Sequence, residues 1–134
     1  MIRIVLDTNV LVSALLNRHG APAQVLRMIL QDPEMQLYIS GEVYAEYDEV
    51  LRRPKLKRSK AEIDGMLGVM REKAFWVRPV GVVRGCTDPD DDAFLACAEA
   101  AHARYLVTGN TRHFPPQWNE TNVVTAREFL DLVG

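Results

Sequence analysis

The sequence has little of what soft-metal and redox sites are built from. Its two cysteines, Cys86 and Cys97, form no CxxC pair, and its three histidines, His19, His102 and His113, do not cluster. A disulfide framework, a zinc motif and a thiol redox motif are therefore not expected, and the cysteines read as a loop residue and a small apolar helix residue. No apolar run approaches the roughly 20 residues that cross a bilayer, so no membrane-spanning segment is expected. The opening stretch MIRIVLDTNVLVSALL is broken by Asp7 and Asn9 and leads to no small-residue cleavage site. It reads as core structure, and the cytoplasm is the expected location. Positive charge is not in excess either. With a net charge of −2 the field of the whole molecule does not attract nucleic acid, so any RNA contact must be local. Internal repeats, low-complexity tracts and linkers are absent.

What is present suits one domain spanning residues 1–134. The chain is 48% hydrophobic and 25% charged, an ordinary balance for a globular protein able to hide about two-thirds of its unfolded surface. The apolar run Ile2 to Leu6 ends in Asp7-Thr8-Asn9, and Val10, Leu11, Ala14 and Leu15 then follow helical spacing, which predicts a strand feeding a helix. Further helices are predicted over Ala23 to Gln31, Glu42 to Arg52, Lys60 to Lys73 and Ala126 to Leu132, and strands over Gln36 to Ile39, Phe75 to Val83, Tyr105 to Val107 and at Val123-Val124. Asp88-Pro89 predicts a helix start, aspartate capping and proline in the first turn. Apolar strands alternating with helices imply an α/β domain with a mostly parallel central sheet covered on both faces. Ligands in such sheets gather at the carboxyl ends of the strands.

Asp7 and Asn110 each follow an apolar strand and should approach the same rim. Asp7 could otherwise serve only as a helix cap, and Asn110 only as a turn residue after Gly109. In the Glu42 to Arg52 helix, an apolar face centred near Tyr47 leaves Glu42 and Glu49 about 140° to 160° away, with Glu46 and Asp48 at about 100°. Either of that second pair could reach a cleft. In the run Asp88-Pro89-Asp90-Asp91-Asp92, acids in a first helical turn are favoured by the helix dipole. Asp91 nevertheless falls about 30° from the centre of the Phe94, Leu95, Ala98, Ala101 face and Asp92 about 130° away. Asp91 is the preferred site residue, with Asp92 a neighbour able to ligate through water. An EF-hand calcium loop would use Asp88, Asp90, Asp92 and Glu99, but Ala93 stands where its turn requires glycine and helical periodicity runs through Phe94 to Ala98.

Carboxylates gathered at one rim repel, by about 4 kcal/mol for a pair roughly 4 Å apart at an effective dielectric of about 20. A divalent cation relieves this, and an oxygen-only donor set selects Mg2+ or Mn2+ over zinc. Such a site can activate water against a phosphodiester.

The segments IVLDTNVLVSALL, ISGEVYAEYDEVLRRP, DPDDDAFLACAEAA and YLVTGNTRHF resemble, in order and over almost the whole chain, the PIN domain family, especially the VapC-like toxins of bacterial toxin–antitoxin systems. The resemblance implies a three-layer α/β/α domain, a Mg2+- or Mn2+-dependent ribonuclease activity, dimerisation and control by an antitoxin. It places the family's first acid on Asp7, its second on Glu46 and its third on Asp91, or on Asp92 if the alignment slips by one. Thr108, Thr8 and Asn9 correspond to polar residues that orient the first acid or its water. Asn110 departs from the pattern, since many members carry a fourth acid there. Its amide keeps an oxygen ligand but lacks the charge, so a second metal would be held weakly and a catalytically silent module binding RNA or an antitoxin is the alternative. Arg52, Arg53, Lys55, Lys57, Arg58 and Lys60, with Arg112 and His113, are the candidate phosphate contacts; a solvated basic loop is the other reading of that run.

Overall fold

A computed structural model describes residues 1–134. In chain order the elements are β1 (Ile2–Leu6), α1 (Thr8–Leu16), α2 (Ala21–Gln31), β2 (Met35–Ile39), α3 (Gly41–Leu51), α4 (Lys60–Lys73), β3 (Phe75–Trp76), α5 (Asp92–Ala101), β4 (Tyr105–Val107), β5 (Gln117–Trp118), β6 (Thr121–Val124) and α6 (Ala126–Val133). The helix starts follow local chemistry. Ser40 accepts from the Val43 N–H at 3.2 Å to open α3, Ser59 accepts from Glu62 at 3.1 Å to open α4, and Thr125 with Glu128 forms a reciprocal capping box at α6.

The six strands form one sheet in the order β3-β2-β1-β4-β6-β5, parallel except for the antiparallel β5–β6 pair. Consecutive strand residues point to opposite faces. Ile4, Val5 and Leu6 are all fully buried, as are Leu106 and Val107 in β4, so helices must cover both faces at the centre. On one side α2 touches α1 and α6; α5 lies against β1, β2 and β4 and meets α3. The domain is therefore the expected α/β/α arrangement.

Strand order decides where a site can form. From β1 the chain steps outward to β2, then returns to lay β4 on the other flank of β1, with Leu6 beside Val107. The carboxyl ends of β1 and β4 thus face a topological switch point, where the crossovers part and leave a crevice. Asp7 and Thr108 are the next residue on each strand.

Some boundaries differ from expectation. The first helix starts at Thr8, two residues before Val10, because the Asp7 side chain caps it. The Asp88-Pro89 start is a 3-10 turn over Pro89–Asp91, and α5 begins only at Asp92. Only Phe75–Trp76 of the expected 75–83 strand pairs with β2; beyond Val77 the residues find no further partner strand. The two-residue β5, unsupported by any apolar run, was not expected at all.

Candidate metal centre

Asp7 lies at the switch point and is 6% exposed. One carboxylate oxygen accepts the Thr8 N–H at 2.7 Å and the other accepts the Thr108 hydroxyl at 2.7 Å. That hydroxyl accepts in turn from the Asn110 N–H at 3.0 Å, which directs its own proton at Asp7. The Asn9 side chain accepts from the Gly109 N–H at 2.9 Å and ties the loop after β4 to the start of α1. Asp7 is therefore both the helix cap and a held, half-satisfied acid with lone pairs to spare.

The other acids arrive from α3 and from the turn before α5. Glu46 accepts a hydrogen bond from the Thr8 hydroxyl, while Asp48 turns away to pair with Arg52 at 2.9 Å. Between the two candidates on that helix, Glu46 is the one that joins Asp7. Behind it, the buried Tyr47 hydroxyl donates to the Leu6 carbonyl and locks α3 onto the end of β1. Tyr47 was expected only as core; its hydroxyl, at the centre of an apolar face, was the signal that a buried polar partner had to exist. Asp91 has a side chain 17% exposed and lies 3.3 Å from His113 Nδ1. The same histidine faces the Asn110 amide, 3.1 Å from its Nε2. Asn110 and His113 thus brace the Asp91 side of the site.

Electrostatics identifies the group. Burial pushes the Asp7 carboxyl up to about 6, the charges of Asp91 and Glu46 adding to it and the bonds from Thr108 and Thr8 opposing it. Glu46 is raised by burial and by the charges of Asp91 and Asp90. Asp91 is raised by burial and by Asp88, with His113 easing it. These three acids share one field with no basic partner except His113. No three carboxylate, histidine or cysteine side chains stand close enough together to form a ready-made metal site.

Asp92 stands apart. One of its oxygens accepts both the Gly85 N–H at 3.0 Å and the Cys86 N–H at 2.9 Å, which holds its carboxyl below the usual range. It staples the 77–87 loop to α5 and has no contact with the acidic trio. The basic run is also different from its appearance in sequence. Arg52 pairs with Asp48 and Asp64, Arg53 with Glu49 and Lys60 with Asp64. Lys55, Lys57, Arg58 and Arg112 are exposed and hold no carboxylate.

An uncharacterized protein of Methanocaldococcus jannaschii, MJ1680, is 29% identical over 112 residues, covering 81% of this chain and 71% of that protein. Among solved structures, VapBC-1 from nontypeable Haemophilus influenzae is similar with a TM-score of 0.62 at 15% identity, covering 94% of this chain and 99% of the other. VapBC2 from Rickettsia felis, solved bound to a promoter DNA fragment, is similar with a TM-score of 0.54 at 17% identity, covering 91% and 98%. At these identities the likeness is one of fold. The PIN domain family itself matches residues 3–112, a span that runs from the strand before Asp7 through Glu46 and Asp91 to Asn110. With the strand order, the switch-point acid and this match in agreement, the chain belongs to the PIN domain family.

Proposed function

We propose that the chain is a metal-dependent endoribonuclease that cleaves RNA phosphodiester bonds, with Asp7, Glu46 and Asp91 holding Mg2+ or Mn2+. The observation that carries this reading is the trio of acids at the switch point, each raised in pKa by burial first and then by neighbouring acids, with His113 the one base beside them. Folding gains nothing from three such acids, whereas a hard cation does. The donor chemistry fits, since every candidate is an oxygen ligand. Mg2+ keeps several waters and uses few direct carboxylates, so it does not need three acids at one ligating point. When bound, such an ion lowers the pKa of water and neutralises charge on a phosphodiester.

The chain's own residues do the rest. Thr108 and the Thr8 N–H fix both oxygens of Asp7, so its remaining lone pairs point in one direction. Thr8 orients Glu46 in the same way, and His113 restrains Asp91. Asn110 serves through its carbonyl oxygen or a water, and Asp92 acts at a distance by fixing the loop. Lys55, Lys57, Arg58 and Arg112, free of ion pairs, are the better phosphate contacts of the basic set, and Arg52, Arg53 and Lys60 the weaker. As in VapC-like toxins, an antitoxin protein is the proposed regulator, a homodimer the proposed assembly and the cytoplasm the proposed location. Cleavage of a mixed RNA pool with Mn2+ or Mg2+ should vanish with EDTA and in Asp7→Asn; survival under either condition contradicts the mechanism.

Asn110 favours a second reading, a catalytically silent module that binds RNA or an antitoxin. Calorimetric titration separates the two: specific Mn2+ binding lost in Asp7→Asn supports the nuclease, and no binding supports the silent module.

A further inference from the structure

Next to the acidic trio is a groove of about 970 Å3 between the first turn of α3, the residues following β3 and the start of α5. This is the upper end of the roughly 300–1,000 Å3 typical of ligand sites. Asp90 lines it, and the charge of Asp90 is felt by both Glu46 and Asp91. Asp90 and Asp92, the chain neighbours of Asp91, both line the groove, so it abuts the Asp91 side of the candidate metal centre.

Its lining has a specific chemistry. Trp76 is half exposed, its indole braced on one side by Tyr44 with ring centroids 5.6 Å apart. Arg78 and Arg84 line the same groove, both exposed and neither in an ion pair, unlike Arg52 and Arg53. The charge of Arg84 is felt by Asp92, one of whose oxygens accepts the Gly85 and Cys86 N–H groups. Val80 and Val82 beside them are 89% and 79% exposed. A braced aromatic plane with guanidinium groups outside ion pairs, in a groove beside the proposed phosphodiester-cleaving centre, matches a nucleotide: a flat base for the indole and a phosphate for the arginines. Glu42, Asp90 and Asp92 are at the other walls, which leaves Arg78 and Arg84 as the basic residues of the groove and the place for a phosphate.

We propose that this groove binds an unpaired stretch of RNA flanking the scissile bond, with a base stacked on Trp76 and phosphates on Arg78 and Arg84. A duplex hides its base faces, so the groove selects single strands. The identity of the ligand as RNA rests on the ribonuclease reading, but the binding is measured apart from cleavage. The full chain carrying Asp7→Asn, which leaves the RNA intact, is titrated into a fluorescently labelled single-stranded RNA of about 12 nucleotides and into its duplex, read by anisotropy. Trp76→Ala added to that background should weaken single-strand binding about tenfold, as expected for one lost base stack. Trp76→Phe should restore most of it, which controls for folding. Arg78→Ala with Arg84→Ala should flatten the slope of log K against log salt by about 1.4, the value for two phosphates on a single strand. Equal affinity of Trp76→Ala and its parent, or a preference for duplex, overturns the groove. So does a Trp76-dependent self-association or protein complex that forms without RNA and excludes it. RNA cleavage by the wild-type chain is scored separately: cleavage with Trp76-independent binding removes the groove alone, and Trp76-dependent binding without cleavage removes the nuclease alone.

Discussion

Two sets of charged residues singled out in the sequence are treated in opposite ways by the fold. The acids Asp7, Glu46 and Asp91 come from distant elements with no base beside them beyond His113, and burial with the charges of neighbouring acids raises all three. The six bases from Arg52 to Lys60 fall within nine positions, yet three of them are taken up by Asp48, Glu49 and Asp64. Exposed pairs of that kind contribute about 0–1 kcal/mol and present little net charge to a ligand. The number of charges in a segment therefore says little about whether they are available. What matters is whether the fold supplies a partner, and a charge kept without one at an energetic cost points to function.

The largest test of this contrast is at Asp7. Asp7→Asn is expected to lower RNA cleavage by about 100- to 1,000-fold, the loss typical of one preorganised electrostatic contact. It should also make the metal-free protein more stable by about 1–3 kcal/mol at pH 7.5, measured by urea denaturation, because the amide removes a buried charge. A destabilised variant would show that Asp7 is chiefly a structural cap. The pH dependence follows the same sign. A folded carboxyl at about 6 binds its proton more tightly than the unfolded one at 3.8, so its contribution to stability is full below about 4. It is lost as pH rises to about 6 and stays lost above. The stability difference between wild type and Asp7→Asn should therefore shift by roughly 2 kcal/mol between pH 4 and pH 7, and Mn2+ should raise Tm more at pH 7.5 than at pH 5.

Asp91 and Asp92 should separate cleanly. Asp92→Ala orphans the Gly85 and Cys86 N–H groups and is expected to cost about 1–2 kcal/mol of stability. Asp91→Asn should leave stability within about 0.5 kcal/mol while losing metal binding in calorimetry. The reverse pattern would exchange their roles. The smallest effect is expected in the basic run. Arg52→Ala with Arg53→Ala should change RNA affinity by no more than about twofold, and Lys55→Ala with Arg58→Ala by several-fold with a shallower salt slope. Equal losses would mean that the ion pairs open to let RNA in.

Much of this was legible in the sequence. Val43, Tyr47 and Leu51 on one side of α3 put Glu46 at the boundary and Glu49 outside, as the burial pattern shows. Asp91, the preferred site residue, faces His113 while Asp92 turns to the Gly85 and Cys86 N–H groups, and Asp91 sits in a 3-10 turn and not in the α-helix that the wheel assumed. What was illegible has a common cause. His113 bracing Asp91, Tyr47 holding the Leu6 carbonyl and Asp92 stapling Gly85 all depend on where another element lies, which no local period reports. The extended 75–83 segment failed for the same reason, since a strand needs a neighbour as well as a pattern.

The sequence by itself determined that an apolar strand ends in Asp7 and that helices and strands alternate, because hydrophobic period and capping act within a few residues. Only the tertiary structure decided that Asp7 meets the Thr108 hydroxyl from 101 residues away and that Thr8 reaches Glu46 across 38. Those contacts turn a helix cap into the fixed member of an acidic centre. The physical reason is that a side chain's direction is set by its own backbone, while its charge balance is set by the elements that pack around it.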